Sequence, residues 1–175
     1  SFSGKSGFSI NIWVKPTVAF TQNFTGHHFN SFASSFTDNG PLMGWLKSDN
    51  VKGWFVGMNK DMQFVYGISV PGSDGIVRIM SDVGAAHKDY WYMITATYTP
   101  VTGRATLYIN GKRTASKKLV FGNQPRGIDY GTSEMSLPPL DVMHYSDRSV
   151  DVRSKGAIGD IALWDRSLAV SEVRK

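Results

Sequence analysis

Apolar and polar residues alternate strictly near the start of the chain. The apolar residues of this first segment occupy every second position: Phe8, Ile10, Ile12 and Val14. Successive side chains of a strand point to opposite faces, so a period of two predicts a half-buried β-strand. Pro16 ends the segment because proline cannot donate a ladder hydrogen bond.

Similar short segments rich in β-branched and aromatic residues predict strands along the rest of the chain. They cover residues 29–36, 53–59, 62–69, 76–81, 90–98, 105–109, 112–116, 140–145 and 156–164. Asn110-Gly111 is the clearest turn, because both residues tolerate the positive φ of a type I′ hairpin. Asn59-Lys60-Asp61 predicts a second hairpin, with Asn or Asp in the left-handed position.

Two stretches carry weak strand signals, and one short helix is predicted. Residues 17–50 are rich in Gly, Asn and Ser, and residues 122–139 are interpreted as a long surface loop. Ser171 is the predicted N-cap of a helical turn at Glu172. About ten strands without an internal helix predict an all-β fold, a two-sheet antiparallel jelly-roll sandwich.

Length and composition agree with one sandwich. The 175 residues, with 41% hydrophobic residues and 18 Gly, suit a single domain over residues 1–175. Its start at Ser1, without an initiator Met, leads us to expect a domain excised from a longer chain. No cysteine is present, which excludes disulfides and thiolate metal sites, and no apolar stretch reaches the roughly 20 residues of a membrane span.

The charge pattern does not favour nucleic acid as a partner. Nineteen basic and 14 acidic residues give a net charge of +5, but the basic residues are scattered. The densest group flanks the predicted hairpin: Lys112, Arg113, Lys117 and Lys118. Lysines on an edge strand discourage association between sheets, so we interpret this group as a solvated surface.

The sequence lacks the usual arrangements of catalytic and zinc-binding residues. Glu134 and Glu172 are the only glutamates, so no strand carries the carboxylate pair of a retaining glycosidase. No Gly-x-Ser-x-Gly nucleophile elbow occurs. His27 and His28 would point to opposite faces of a strand and could not share one zinc ion. We therefore predict a protein that is not an enzyme.

Three segments, taken in order, resemble one family. Residues 8–16 (Phe-Ser-Ile-Asn-Ile-Trp-Val-Lys-Pro) resemble the early strand of bacterial laminin G-like domains. Residues 90–98, then Gly103 and residues 105–112 ending in Asn-Gly-Lys, resemble that family's Trp-led strand and hairpin. Residues 156–168 are similar to the closing strand shared with pentraxins. Together they resemble the concanavalin A-like lectin-glucanase superfamily.

This resemblance implies a binding module. Such domains bind glycans or proteins and often form part of a secreted or cell-surface protein, so it implies a non-catalytic, lectin-like carbohydrate-binding module at an extracellular location. The alternative is a protein-interaction or structural spacer module of a larger surface protein or glycoside hydrolase. Fold alone does not decide between them, because function depends on the site.

The resemblance also implies calcium. Residues 142–147 align with the pentraxin calcium segment and retain its terminal acidic residue as Asp147. Tyr145 replaces an acidic ligand of that family, which leaves the site short of negative charge. Calcium usually takes six to eight oxygen ligands.

Aromatic residues are the candidates for glycan contact, because their faces stack against the C–H face of a pyranose. Trp45 and Trp54 lie in residues 44–54, a polar segment bounded by glycines that we interpret as a loop. The alternative for both is that they cap the core. Tyr66 and Tyr92 are weaker candidates on the sheet. The other three tryptophans belong to family-like strands and are expected in the core: Trp13, Trp91 and Trp164.

Overall fold

Twelve strands and one short helix occupy the part of the chain that the computed structural model describes. The described residues are 4–17, 41–47, 52–59, 61–73, 75–119, 127–130, 141–142, 144–147, 150–153 and 156–174. The elements are β1 (Phe8–Pro16), β2 (Pro41–Lys47), β3 (Lys52–Met58), β4 (Phe64–Ile68), β5 (Val77–Met80), β6 (Tyr92–Thr99), β7 (Arg104–Ile109), β8 (Lys112–Lys118), β9 (Asp141–Val142), β10 (His144–Asp147), β11 (Val150–Arg153), β12 (Gly156–Trp164) and α1 (Val170–Val173).

The strands form two five-stranded antiparallel sheets and a separate pair. The first sheet has the order β12-β1-β6-β7-β8, and the second has the order β5-β4-β3-β2-β9. Among the described residues, strands β10 and β11 pair with each other and with no third strand. The predicted all-β sandwich of two antiparallel sheets is confirmed.

One large core lies between the sheets. The alternating residues of β1 are fully buried and pack with residues of the second sheet, including Trp54 and Tyr66. The inward residues of β6 and β7, such as Ile94 and Leu107, complete this layer. Strand β12 contributes less than predicted, because it is the edge strand of the first sheet and only Ile158 and Leu163 pack against the core.

The predicted hairpin at Asn110-Gly111 is present between β7 and β8. Asn110 has φ 50° and Gly111 has φ 74°, both in the left-handed region. We expect Gly111→Val to lower the free energy of unfolding by roughly 1 to 2 kcal/mol, because a β-branched residue is strained at positive φ. Urea denaturation measures this change, with Thr114→Val in the adjacent strand as the control. A variant as stable as the parent would contradict the turn geometry.

Several local predictions need correction. Residues 44–47, predicted as part of the loop over residues 44–54, belong to strand β2, which pairs with β3 on one side and β9 on the other. In the β3–β4 hairpin the described residue with a left-handed backbone is Met62, and not Asn59 or Asp61. The Asn59 Oδ1 accepts hydrogen bonds from the backbone amides of Asp61 and Gln63. Helix α1 begins after Ala169, so Ser171 lies inside the helix instead of capping it. The strand predicted at residues 29–36 lies outside the described residues.

The C-terminal segment crosses the outer face of the first sheet. The Ser9 hydroxyl donates to the Arg166 carbonyl at 2.8 Å and accepts from the Leu168 amide at 2.9 Å. Leu168 and Val173 then bury Tyr108 of β7 in a small second cluster. This segment covers one end of the outer face.

Candidate functional site

Trp54 is part of the core and is not a surface residue. It lies in strand β3, its exposed fraction is 0%, and its ring packs on that of Phe8 at a centroid distance of 4.6 Å. The indole N–H lies near Tyr130 but meets no acceptor at hydrogen-bond geometry. The prediction that Trp54 forms a binding surface in a loop is therefore wrong, because the polar residues beside it belong to a paired strand.

Tyr66 and Tyr92 are also buried, so neither offers its ring to a ligand. Burial raises the pKa of the Tyr66 hydroxyl well above its ordinary value, and the nearby Tyr98 and Tyr130 raise it further. Tyr92 packs on Phe64, with 4.9 Å between ring centroids. Tyr66 and Tyr92 were predicted to contact a ligand. Both predictions are wrong, because strand alternation turns the two side chains toward the opposite sheet.

Two predicted site residues have side chains outside the described part of the structure. The backbone of Trp45 pairs with that of Trp54 in β2 and β3. Asp147 ends strand β10 and pairs with Val150. Among the described residues, no three His, Cys, Asp or Glu side chains converge to hold a metal ion. Trp45 as a ligand contact and Asp147 as a calcium ligand stay predictions.

Two exposed tryptophans lie at the outer face of the first sheet, Trp13 in β1 and Trp91 just before β6. Trp13 is 38% exposed and Trp91 is 46% exposed, although both were expected in the core. They meet at Gly159 of β12. A methyl group placed there would lie 3.1 Å from the Trp13 Cβ and 3.6 Å from the Trp91 Cζ3. We call Trp13, Trp91 and Gly159 the indole surface.

Strand alternation exposes Trp13. Ile12 and Val14 on either side are fully buried, so the side chain between them points away from the core. Met93 of β6 is its cross-strand partner and is half-buried. The neighbouring residues of β1 and β6 are polar, and Asn11 Nδ2 donates a hydrogen bond to Thr95 Oγ1 at 2.8 Å. The signal was present in the sequence, because Trp13 shares its phase with Ser9 and Asn11.

The loop before β6 holds Trp91 beside Trp13. The Asp89 amide donates to the Pro16 carbonyl at 2.6 Å, and Asp89 has φ 67°. A left-handed non-glycine residue costs energy, so contacts elsewhere must hold it in place. The Tyr92 hydroxyl supplies one such contact by accepting from the His87 amide at 2.8 Å. The buried Tyr92 thus positions the loop that presents Trp91.

Polar and aromatic residues precede Trp91 in the chain, and Asn110 contacts β6 just after it. Tyr90 is 66% exposed, and its ring centroid lies 6.4 Å from that of His87. The Asn110 side chain accepts from the Met93 amide at 2.9 Å and is exposed at the end of the sheet. Lys88 Nζ is 4.0 Å from the Asp89 carboxylate. Such an arrangement combines flat apolar faces with groups that hold hydroxyls.

The fold is similar to those of several solved structures. One is a native heptameric SAP-like pentraxin from Limulus polyphemus, with 16% identity, a TM-score of 0.60 and coverage of 97% of this chain and 68% of the pentraxin. Another is the CBM40 of the Ruminococcus gnavus IT-sialidase bound to α2,3-sialyllactose, with 9% identity, a TM-score of 0.63 and coverage of 97% and 81%.

A third similar structure is a mutant of Trypanosoma rangeli sialidase displaying trans-sialidase activity. Its identity is 15% and its TM-score is 0.60, and the match covers 98% of this chain but 22% of that protein. At these identities the likeness shows the fold. The chain has no match among the curated proteins.

A family model agrees with the fold and with the resemblance found in the three sequence segments. It is described as the concanavalin A-like lectin/glucanases superfamily and matches residues 1–174. The chain belongs to the concanavalin A-like lectin/glucanases superfamily.

Proposed function

We propose that the chain is a non-catalytic carbohydrate-binding module that holds its glycan on the indole surface. The observation that carries the proposal is the pair of exposed tryptophans, Trp13 and Trp91, in contact with Gly159 on an ordered sheet face. Large exposed apolar groups that lie together usually mark an interaction site. The similarity to a CBM40 bound to α2,3-sialyllactose supports a glycan as the ligand.

The sheet and loop around the indole surface suit binding without a large rearrangement. Trp13 is fixed by two buried neighbours in β1, and Trp91 directly follows a loop tied to Pro16 and Tyr92. Side chains held in place before binding lose little conformational entropy when a ligand stacks on them.

The non-catalytic part of the proposal rests on the two glutamates of the chain. Glu172 forms a two-bond ion pair with Arg166, at 2.7 and 2.9 Å, and accepts from the Ala169 amide at 2.8 Å. These bonds commit it to the C-terminal turn. Glu134, the other glutamate, lies outside the described residues. No helix in the described part of the chain is long and apolar enough to cross a membrane.

We propose an extracellular or cell-surface location for this module, as the family resemblance implies. Calcium, when present, would involve Asp147, with neighbouring oxygen ligands completing the shell. Calorimetric titration of calcium into the parent and Asp147→Asn proteins tests this part by itself. Equal heats for both would remove Asp147 as a ligand.

A glycan array tests the main proposal. We expect the parent protein to bind glycan. Trp13→Ala and Trp91→Ala should each lose affinity by at least about tenfold, since tryptophans that a bound partner covers contribute much of the binding energy of an interface. Thermal melts should show that each variant loses much less unfolding free energy than the roughly 3 to 5 kcal/mol expected for replacing a core tryptophan. Val101→Ala, which alters an apolar residue that is 76% exposed elsewhere, is the matched control.

An empty array for a folded parent protein would contradict the proposal. It would favour the alternative of a protein-interaction or spacer module, in which the indole surface docks a neighbouring protein. Binding that survives in both tryptophan variants would place the glycan elsewhere on the domain.

A further inference from the structure

A β-bulge in strand β12 places two residues opposite Trp13. The register between β1 and β12 shifts between residues 12 and 14, where Trp13 is opposed by both Gly159 and Asp160. A bulge adds one residue to one strand and re-aims the side chains at that point, and bulges are frequent next to functional sites. This bulge therefore lies at the indole surface and shapes it.

The two bulge residues have different consequences. Gly159 has no side chain, so the Trp91 ring contacts the strand itself. Asp160 is exposed. Within the described part of the chain its carboxylate forms no hydrogen bond or ion pair. An uncommitted carboxylate thus lies beside two exposed indoles.

Building on the proposed glycan function, we infer that Asp160 determines the specificity of the indole surface for uncharged pyranose glycans. An ionised carboxylate only accepts hydrogen bonds, and its two oxygens can accept from two adjacent sugar hydroxyls. Hydrogen bonds to an ionised acceptor are about twice as strong as neutral ones. The same charge repels a sugar that carries a carboxylate or sulfate.

Two lysines lie close to the indole surface along the chain, Lys15 in β1 and Lys88 in the loop before β6. Lys15 lies two positions from Trp13 along β1, about 6.8 Å away at roughly 3.4 Å per residue. Asp160 is one of the two bulge residues that oppose Trp13. Lys88 has its own carboxylate neighbour in Asp89. Asp160 is therefore the carboxylate that the strand register places opposite Trp13.

The test compares Asp160→Asn with the parent on an array that prints each neutral oligosaccharide beside its sialylated, sulfated and uronic-acid forms. The parent should bind neutral forms and not their acidic partners. We expect Asp160→Asn to weaken binding of the neutral glycan by at least about tenfold, the usual loss for a charged hydrogen bond. Asp165→Asn is the matched control, since this exposed carboxylate lies just beyond the C-terminal end of β12.

The outcomes separate this inference from the proposed function. Full affinity in Asp160→Asn, with loss in Trp13→Ala and Trp91→Ala, would overturn the role of Asp160 and leave the glycan function intact. A parent protein that prefers the acidic forms, and loses them in Lys15→Ala, would also overturn it. No binding of any glycan by the folded parent would overturn both.

Discussion

Trp54→Ala is expected to lower the free energy of unfolding by about 3 to 5 kcal/mol. The Trp54 side chain is fully buried between the sheets and stacks at a tilt of 49° on Phe8. Its removal loses the transfer free energy of a large ring and leaves a cavity that the surrounding strands cannot close. Urea denaturation followed by circular dichroism measures the loss.

Trp91→Ala is the matched control for this result, because it removes the same side chain from a surface where 46% of it is exposed. Its unfolding free energy should change far less. If Trp54→Ala were as stable as Trp91→Ala, Trp54 would not be a core residue, and the earlier hypothesis of a Trp54 binding surface would return.

The second large effect is expected at Gly67. A methyl group at this position would overlap the ring of Phe55, the side chain that lies over Gly67 from the neighbouring strand. Phe55 is fully buried, so its ring has little room to move. We expect Gly67→Ala to cost about 1 to 3 kcal/mol through overpacking. Urea denaturation again gives the value.

A double-mutant cycle isolates the cause. Phe55→Ala alone should lower the free energy of unfolding by about 3 to 5 kcal/mol. In the Phe55→Ala background, Gly67→Ala should cost little, because the overlapping ring is gone. The two changes should therefore be strongly non-additive. Additive effects would show that the cost at Gly67 has another origin, such as altered backbone entropy.

Local patterns in the sequence determined most of the strands. Alternation predicted β1, and the Asn110-Gly111 turn predicted the hairpin that follows Ile109. Residues 156–164 were predicted as a strand with the bounds that β12 has. These features depend on side-chain periodicity and turn conformation, which are properties of neighbouring residues.

Pairing between distant strands decided what local patterns could not. Strand β2 contains Pro41 and Gly44, both poor strand formers, and it forms because β3 and β9 supply ladder partners. Trp54 has Gly53 and Lys52 beside it and resembled a loop residue, yet contact with Phe8 buries it. Burial depends on which strands face each other, and no local pattern contains that information.

The candidate site shows the same division. The alternation in β1 puts Trp13 in phase with the polar residues, and its side chain does face outward, although its size led us to predict it in the core. Its meeting with Trp91, and the bulge that sets Asp160 across from it, arise from the pairing of β1 with both β6 and β12. A surface assembled from β1, β12 and the residue before β6 exists only once the sheet has formed, because its geometry is fixed by register between strands.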